Sequence, residues 1–295
     1  MSAQFKRVCQ VIVGKSGKGV LIESLRIEFE IIKNFDSEPN YAIIKIYNLS
    51  PDNENKIKNE YDDVIINAGY KDESRLIFRG NIKHVYRYRK ENDFITEIEA
   101  GDGDKDFRNS IMNETLAAGT TNQQIVERAV KSFGTTIKGE IQLTERQRFR
   151  GKVISGNTRK VLADLSQESG ANWSIQDGQL QIIKVGAFLK DVAIVINSQT
   201  GMLSTPEIND KGIAVKCLLN PQIRINGRIK LDNNLIKAKR IKPKSLANER
   251  QKKESKPKTP IRLDPDGIYK VLKLTHKGDT RGNDWITEIE CVSIG

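Results

Sequence analysis

Residues 25–31 alternate strictly: Leu25, Ile27, Phe29 and Ile31 are apolar, while Arg26, Glu28 and Glu30 are charged. A period of two turns one face of a strand to a core and the other to water. The same pattern continues through "YAIIKIYNLS", "DDVIINAGY", "SRLIFRGNIKHVYRYR" and "NDFITEIEAG", with turn residues between the runs. The spacing predicts an antiparallel β-barrel or sandwich over residues 1–103. Within it, the polar run "SPDNENKIKNEY" predicts a short surface helix.

After "GDGDKD" the period changes to that of a helix. "TTNQQIVERAVKSFG" places Ile125, Val126, Ala129, Val130 and Phe133 on one stripe, opened by a threonine cap at 120 or 121 and closed by Gly134. "SGNTRKVLADLSQESG" repeats that logic with Val161, Leu162 and Leu165, and Gly170 ends it. "ANWSIQDGQLQIIKVG" reads as a hairpin turning at Asp177-Gly178, a pair suited to positive φ. Residues 104–187 are therefore predicted as a small α/β module of two helices and a hairpin.

Strand character returns from Val192 to Ile196 and recurs in "GIAVKCLL", "QIRINGRIKL", "GIYKVLKLTH" and "DWITEIECV". This predicts a second β-barrel over 188–295. It is interrupted at 233–265 by a Lys- and Pro-rich stretch too poor in large apolar side chains to pack a core.

One strand is written twice. Seven of the eight residues from Asn92 to Glu99 recur from Asn283 to Glu290, with Phe94 exchanged for Trp285. Alternation puts Phe94, Thr96 and Ile98 on one face and Ile95, Glu97 and Glu99 on the other; Trp285, Thr287, Ile289 and Ile286, Glu288, Glu290 repeat the two sets. Alternation fixes only polar against apolar, so identity at this level points to two related barrels with the helical module between them. The predicted class is mainly β, with two antiparallel β-barrel domains related by duplication and an α/β middle module.

Composition changes this picture in one place. The chain of 295 residues, with 37% hydrophobic and 29% charged side chains, has the make-up of a globular protein. No apolar run approaches the length of a membrane span, and "MSAQFKRVCQVIVG" lacks a signal-peptide core, so synthesis without secretion is the expectation. The net charge of +11 is concentrated in one segment. Between Leu235 and Arg262 stand Lys237, Lys239, Arg240, Lys242, Lys244, Arg250, Lys252, Lys253, Lys256, Lys258 and Arg262 against Glu249 and Glu254, a net +9 that leaves +2 for the remainder. Such a segment is either a solvated loop or a contact for a polyanion or a protein partner, and composition leaves both open.

Motifs for chemistry fail on inspection. "GKSGKGV" lacks the Lys and hydroxyl that a phosphate loop requires, which leaves a glycine-rich hairpin turn. Asp102, Asp104 and Asp106 resemble the start of a calcium loop, but Phe107 and Asn113 stand where Gly and the bidentate Glu belong, so a boundary turn is expected. His84 and His276 have no ligand-forming neighbours and are expected to be solvent-facing. Cys9, Cys217 and Cys291 read as buried small hydrophobes. No catalytic residue, metal or cofactor is assigned.

The second half carries a family resemblance in "GNTRKVLADLSQESGANWSIQDGQLQIIK", Thr200-Gly201, Pro206-Glu207, Gly212-Ile213, Leu218-Leu219-Asn220-Pro221, Gly227, Asp266-Gly267 with Tyr269, and His276-Lys277-Gly278-Asp279. In this order they resemble the central baseplate hub proteins of contractile-tailed bacteriophages, a tail-tube-like family related to the hub part of type VI secretion spike proteins. The likeness covers residues 105–295 closely and the N-terminal portion loosely. It implies a non-enzymatic virion protein of the tail baseplate, assembled in the host cytoplasm. It further implies a homotrimer whose doubled barrels form a pseudo-sixfold ring around the DNA channel, joining the sixfold tail tube or its initiator ring to a threefold central spike. Other baseplate proteins, and DNA or tape-measure protein in the channel, would be further partners. By this resemblance Glu97, Glu99, Glu288 and Glu290 are candidates for an acidic channel face, although an outer surface would suit them equally. Two other readings rest on the residues: nucleic-acid binding through 235–262, and cell-wall binding through the middle module, which resembles carbohydrate-binding modules of other tail proteins.

Overall fold

A computed structural model describes residues 6–71, 73–148, 150–209, 212–238 and 263–293. The first group of elements is β1 (Arg7–Lys15), β2 (Lys18–Ile22), β3 (Ile27–Asn34), β4 (Tyr41–Tyr47), α1 (Pro51–Asn59), β5 (Asp63–Tyr70), β6 (Arg75–Lys90) and β7 (Asp93–Gly101). The glycine-rich stretch is the turn of the β1–β2 hairpin, with Ser16 and Gly17 at positive φ between Lys15 and Lys18. Ser50 caps α1 and Pro51 opens it, so the expected surface helix forms where its signals stand. Alternate side chains of these strands meet in one core that includes Val11, Phe29, Ile44, Ile57, Phe78 and Ile98.

The middle elements are α2 (Asp104–Asn109), β8 (Ile111–Leu116), α3 (Asn122–Ser132), β9 (Ile137–Ile141), β10 (Lys152–Asn157), α4 (Thr158–Glu168), β11 (Ala171–Gln176) and β12 (Gln179–Lys184). Thr121 and Gln124 cap the start of α3 reciprocally, and Asp177-Gly178, both at positive φ, turn the β11–β12 hairpin. A separate core gathers Leu116, Ile125, Leu162, Trp173 and Leu180. The "GDGDKD" carboxylates face three different ways. Asp102 accepts from the amides of Asp177 and Gly178 at 2.5 and 2.8 Å. Asp104 pairs with Lys83 and Arg108, and Asp106 accepts from the amides of Gly134, Thr135 and Thr136. These acids pin the helices and the hairpin to the end of β7. Among the described residues no group of His, Cys, Asp and Glu is arranged to hold a metal ion, and no helix is long and apolar enough to cross a membrane.

The last group is β13 (Ile194–Val195), β14 (Glu207–Asn209), β15 (Gly212–Leu218), β16 (Arg228–Lys230), β17 (Lys237–Ala238), β18 (Ile268–Asp279) and β19 (Trp285–Ser293), with a third core around Ile213, Tyr269, Val271 and Ile289. Cys9, Cys217 and Cys291 are buried in the first and third cores. The closed barrels expected from the sequence are not found among the described residues. The strands instead form one sheet in the order β17-β14-β15-β19-β18-β3-β4-β7-β6-β5-β1-β2. The physical reason is that β3 pairs with β18, from Asn34 opposite Lys273 to Glu28 opposite Asp279. The edge of β3 that would close on β2 is thereby taken by the other end of the chain.

Two parts of this sheet share a register. β4 lies beside β7 with Ile44 opposite Ile98 and Lys45 opposite Glu97; β15 lies beside β19 with Val215 opposite Ile289 and Lys216 opposite Glu288. The β6–β7 hairpin bulges between Ile82 and His84, opposite Ala100 and Glu99. The β18–β19 hairpin bulges between Val271 and Lys273, opposite Cys291 and Glu290. An extra residue inserted in a ladder shifts everything beyond it by one position, so the bulge falls at the same place relative to the repeated "ITEIE".

Candidate assembly interface

Period-two alternation places the four candidate glutamates on the face of the sheet turned away from its cores. Thr96, Ile98 and Ala100 are buried while Glu97 and Glu99 between and beside them are half-buried, and Thr287, Ile289 and Cys291 flank Glu288 and Glu290 in the same way. Because β3 and β18 join, all four lie on one continuous sheet, together with Glu28, Glu30 and Glu207. The face is not purely acidic. Lys45 stands 3.9 Å from Glu97 and Lys216 stands 3.5 Å from Glu288. Lys277 bridges Glu30 at 3.2 Å and Glu288 at 3.6 Å. Burial, followed by its hydrogen bond to Glu99, pushes the Tyr41 hydroxyl up to about 12. The Tyr88 hydroxyl donates to Glu97 at 2.7 Å. Exposed pairs of this kind contribute little stability each; their consequence is a face on which carboxylates and ammonium groups alternate.

The joint between β3 and β18 is more tightly built. Arg26 donates to both oxygens of Asp279, at 3.3 and 2.7 Å. Burial works to raise the Asp279 carboxyl, but the Arg26 guanidinium and the amides of Arg281 and Gly282 outweigh it and hold it below the usual carboxylate range. The Arg7 guanidinium donates to the carbonyls of Asp279, Gly282 and Asn283 and sits 5.6 Å from the centre of the Trp285 ring. That ring meets Phe29 edge to face at 5.6 Å. Gly278 makes the approach possible, since a Cβ there would lie 2.3 Å from the Phe29 ring.

His276 corrects the expectation of a solvent-facing histidine: it is buried, with Nδ1 2.9 Å from the Thr287 hydroxyl. Burial, and secondarily the nearby Lys33 ammonium, lower its pKa to about 3. His84, by contrast, is exposed. None of Arg7, Arg26, Phe29, Gly278 and Asp279 stands out in the sequence as an interface residue. The one local signal is a glycine followed by an aspartate at the end of a strand run, and it says nothing of what lies opposite.

The repeated aromatic has two different fates. Trp285 is 1% exposed, in the core of the first group of strands, whereas Phe94 is 45% exposed, with the guanidinium groups of Arg87 and Arg89 over its ring at 4.7 and 5.8 Å. Of the basic segment, Lys237 opens β17, which pairs in parallel with β14. Lys239, Arg240, Lys242, Lys244, Arg250, Lys252, Lys253, Lys256, Lys258 and Arg262 lie outside the described residues.

A family model described as Baseplate hub gp41 matches residues 7–238. The fold is similar to that of the 43 kDa tail protein of prophage MuSo2 from Shewanella oneidensis, with a TM-score of 0.62 at 10% identity, covering 97% of this chain and 98% of that one. A tail protein from Neisseria meningitidis MC58 gives 0.61 at 9% identity, with 98% and 97% covered. The E. coli c3393 protein is a component of the type VI secretion system with structural similarity to the T4 bacteriophage tail proteins gp27 and gp5. It gives 0.58 at 10% identity, with 96% and 76% covered. No curated protein matches the sequence. At these identities the likeness is one of fold.

Proposed function

The chain belongs to the baseplate hub gp41 family of phage tail structural proteins, and from that premise we propose that it is a trimeric hub whose doubled β unit matches a threefold spike to a sixfold tail tube. In this reading residues 1–103 and 188–295 are two copies of one tube-like unit, and residues 104–187 are a module inserted between them. The observation that carries it is the shared register and bulge of β4-β7-β6 and β15-β19-β18. Two unrelated amphipathic sheets have no reason to place an extra residue at the same step beside the same five-residue string. Three chains with two such units each supply six near-equivalent contacts, and repeated heterologous contacts close into a ring.

The sheet face bearing Glu97, Glu99, Glu288 and Glu290 is proposed as the lining of the ring's channel. Its carboxylates are partly neutralised by Lys45, Lys216 and Lys277, so a passing polyanion would not meet a sticky basic wall. The family is structural, and no enzymatic step is assigned. Sedimentation of the isolated protein tests the oligomer. A species of three chains, about 100 kDa from a 33.3 kDa protomer, is the expected result. A single chain at the highest soluble concentration overturns it.

A further inference from the structure

We infer that a second copy of this chain docks on the outer edge of β6 from His84 to Lys90, so that the joint made once inside the chain between β3 and β18 is made again between chains. This rests on the trimeric reading above, and it names the surfaces that close the ring.

The bulges bring His84–Lys90 of β6 into correspondence with Lys273–Asp279 of β18. The outer edge of that part of β18 is filled by β3. Among the described residues the same part of β6 pairs with β7 alone, since β5 meets β6 between Arg75 and Asn81. A free strand edge offers a row of unpaired amides and carbonyls, which a further strand can cover. Two exposed tyrosines, Tyr86 at 47% and Tyr88 at 38%, stand on one face of this edge strand, and the exposed Phe94, the counterpart of the buried Trp285, lies across the hairpin on the other face. Inside the chain the Trp285 position is covered by Phe29 and Arg7; in the isolated chain the Phe94 position is exposed.

The strand that would cover them follows from the same correspondence. β14 stands to β15 as β3 stands to β4, and the registers equate Glu207 with Glu30. Within the chain Glu30 lies opposite Lys277, and the counterpart of Lys277 is Tyr88. The ladder between copies therefore sets Tyr88 of one against Glu207 of the next. Charge agrees at one position, since Lys90 shares the face of Tyr88 and would approach a strand beginning at Glu207 with Glu290 nearby on the same face. In the isolated chain the outer edge of β14 carries β17, through Lys237 and Ala238 among the described residues. The incoming β6 displaces β17 from this edge.

The test is a double variant of the full chain, Tyr88→Cys with Glu207→Cys, oxidised at a concentration where the unmodified protein is trimeric. Residues directly opposite in antiparallel strands have Cα atoms about 4.5–5.5 Å apart, within disulfide reach, and the three native cysteines are buried. The expected result is conversion of the monomer band on a non-reducing gel to a three-chain band, reversed by reductant and absent in either single variant. A trimer by sedimentation that forms no such band overturns the docking edge while leaving the hub reading intact. Absence of any trimer in the unmodified protein overturns both. As a second arm, Phe94→Glu is expected to convert trimer to monomer, with a melting temperature no lower than that of the unmodified protein diluted until it is monomeric; a trimer that survives it contradicts the inference.

Discussion

Acidification from pH 7 to pH 5 should weaken the β3–β18 joint through a single residue. His276 is buried against Thr287 on β19 and feels the Lys33 ammonium of β3, and its folded pKa falls to about 3 from an unfolded value of about 6.5. A group whose folded pKa is depressed stabilises the native state fully above its unfolded pKa, and that contribution drains away as pH falls toward the folded one. At pH 5 the unfolded chain binds the proton and the folded chain does not, a loss of about 2 kcal/mol at roughly 1.4 kcal/mol per pH unit. For a protein of this size that corresponds to about 4–8 °C in melting temperature. His276→Gln keeps a polar partner for the Thr287 hydroxyl and cannot titrate. Asp102, raised by burial and by the neighbouring Asp177 carboxylate, titrates in an overlapping window with the opposite sign, but it does so in both proteins and cancels. Scanning calorimetry at pH 7 and pH 5 should therefore show a drop in the unmodified protein that is about 4–8 °C larger than in the variant. Equal drops would refute the reasoning.

Other consequences follow from the same contacts. Gly278→Val puts side-chain atoms where the Phe29 ring lies, and overpacking of this kind should cost about 1–3 kcal/mol in urea unfolding. Asp102→Ala strips the buried amides of Asp177 and Gly178 of their acceptor; a loss of about 1–3 kcal/mol is expected, and hydrogen exchange at those two amides should accelerate before that of β19. Burial pushes the thiols of Cys9, Cys217 and Cys291 up to about 12, so at pH 8 maleimide should label them only as fast as the protein unfolds. Labelling of native protein at the rate of a free thiol would contradict their placement.

The strands and turns were legible because their causes are local. Ile27, Phe29 and Ile31 alternate with charge; Ser16-Gly17 and Asp177-Gly178 supply positive φ; Thr121 caps a helix within reach of its own side chain. The repeat "ITEIE" was legible as a string, and it marked two strands that share a register. Closure was not, because alternation says that a strand has one buried face and not which strand lies beside it. The pairing of β3 with β18 joins residues some 240 positions apart, and no pattern within either segment encodes it. The burial of His276 and Trp285 was hidden for the same reason. Both owe their surroundings to the partner strand and its Phe29 and Lys33, so the same aromatic position reads alike in "NDFITE" and "NDWITE" while one ring is buried and the other is not.

The most direct measurement on the proposed doubling is the rotational symmetry of the purified assembly in averaged electron-microscope images taken down its axis. A ring with six similar lobes around a central hole, reducing to threefold order when the module at 104–187 is resolved, is the predicted result. Lobes in any number other than six, or a particle without a rotation axis, would contradict the proposal that each chain contributes the same unit twice.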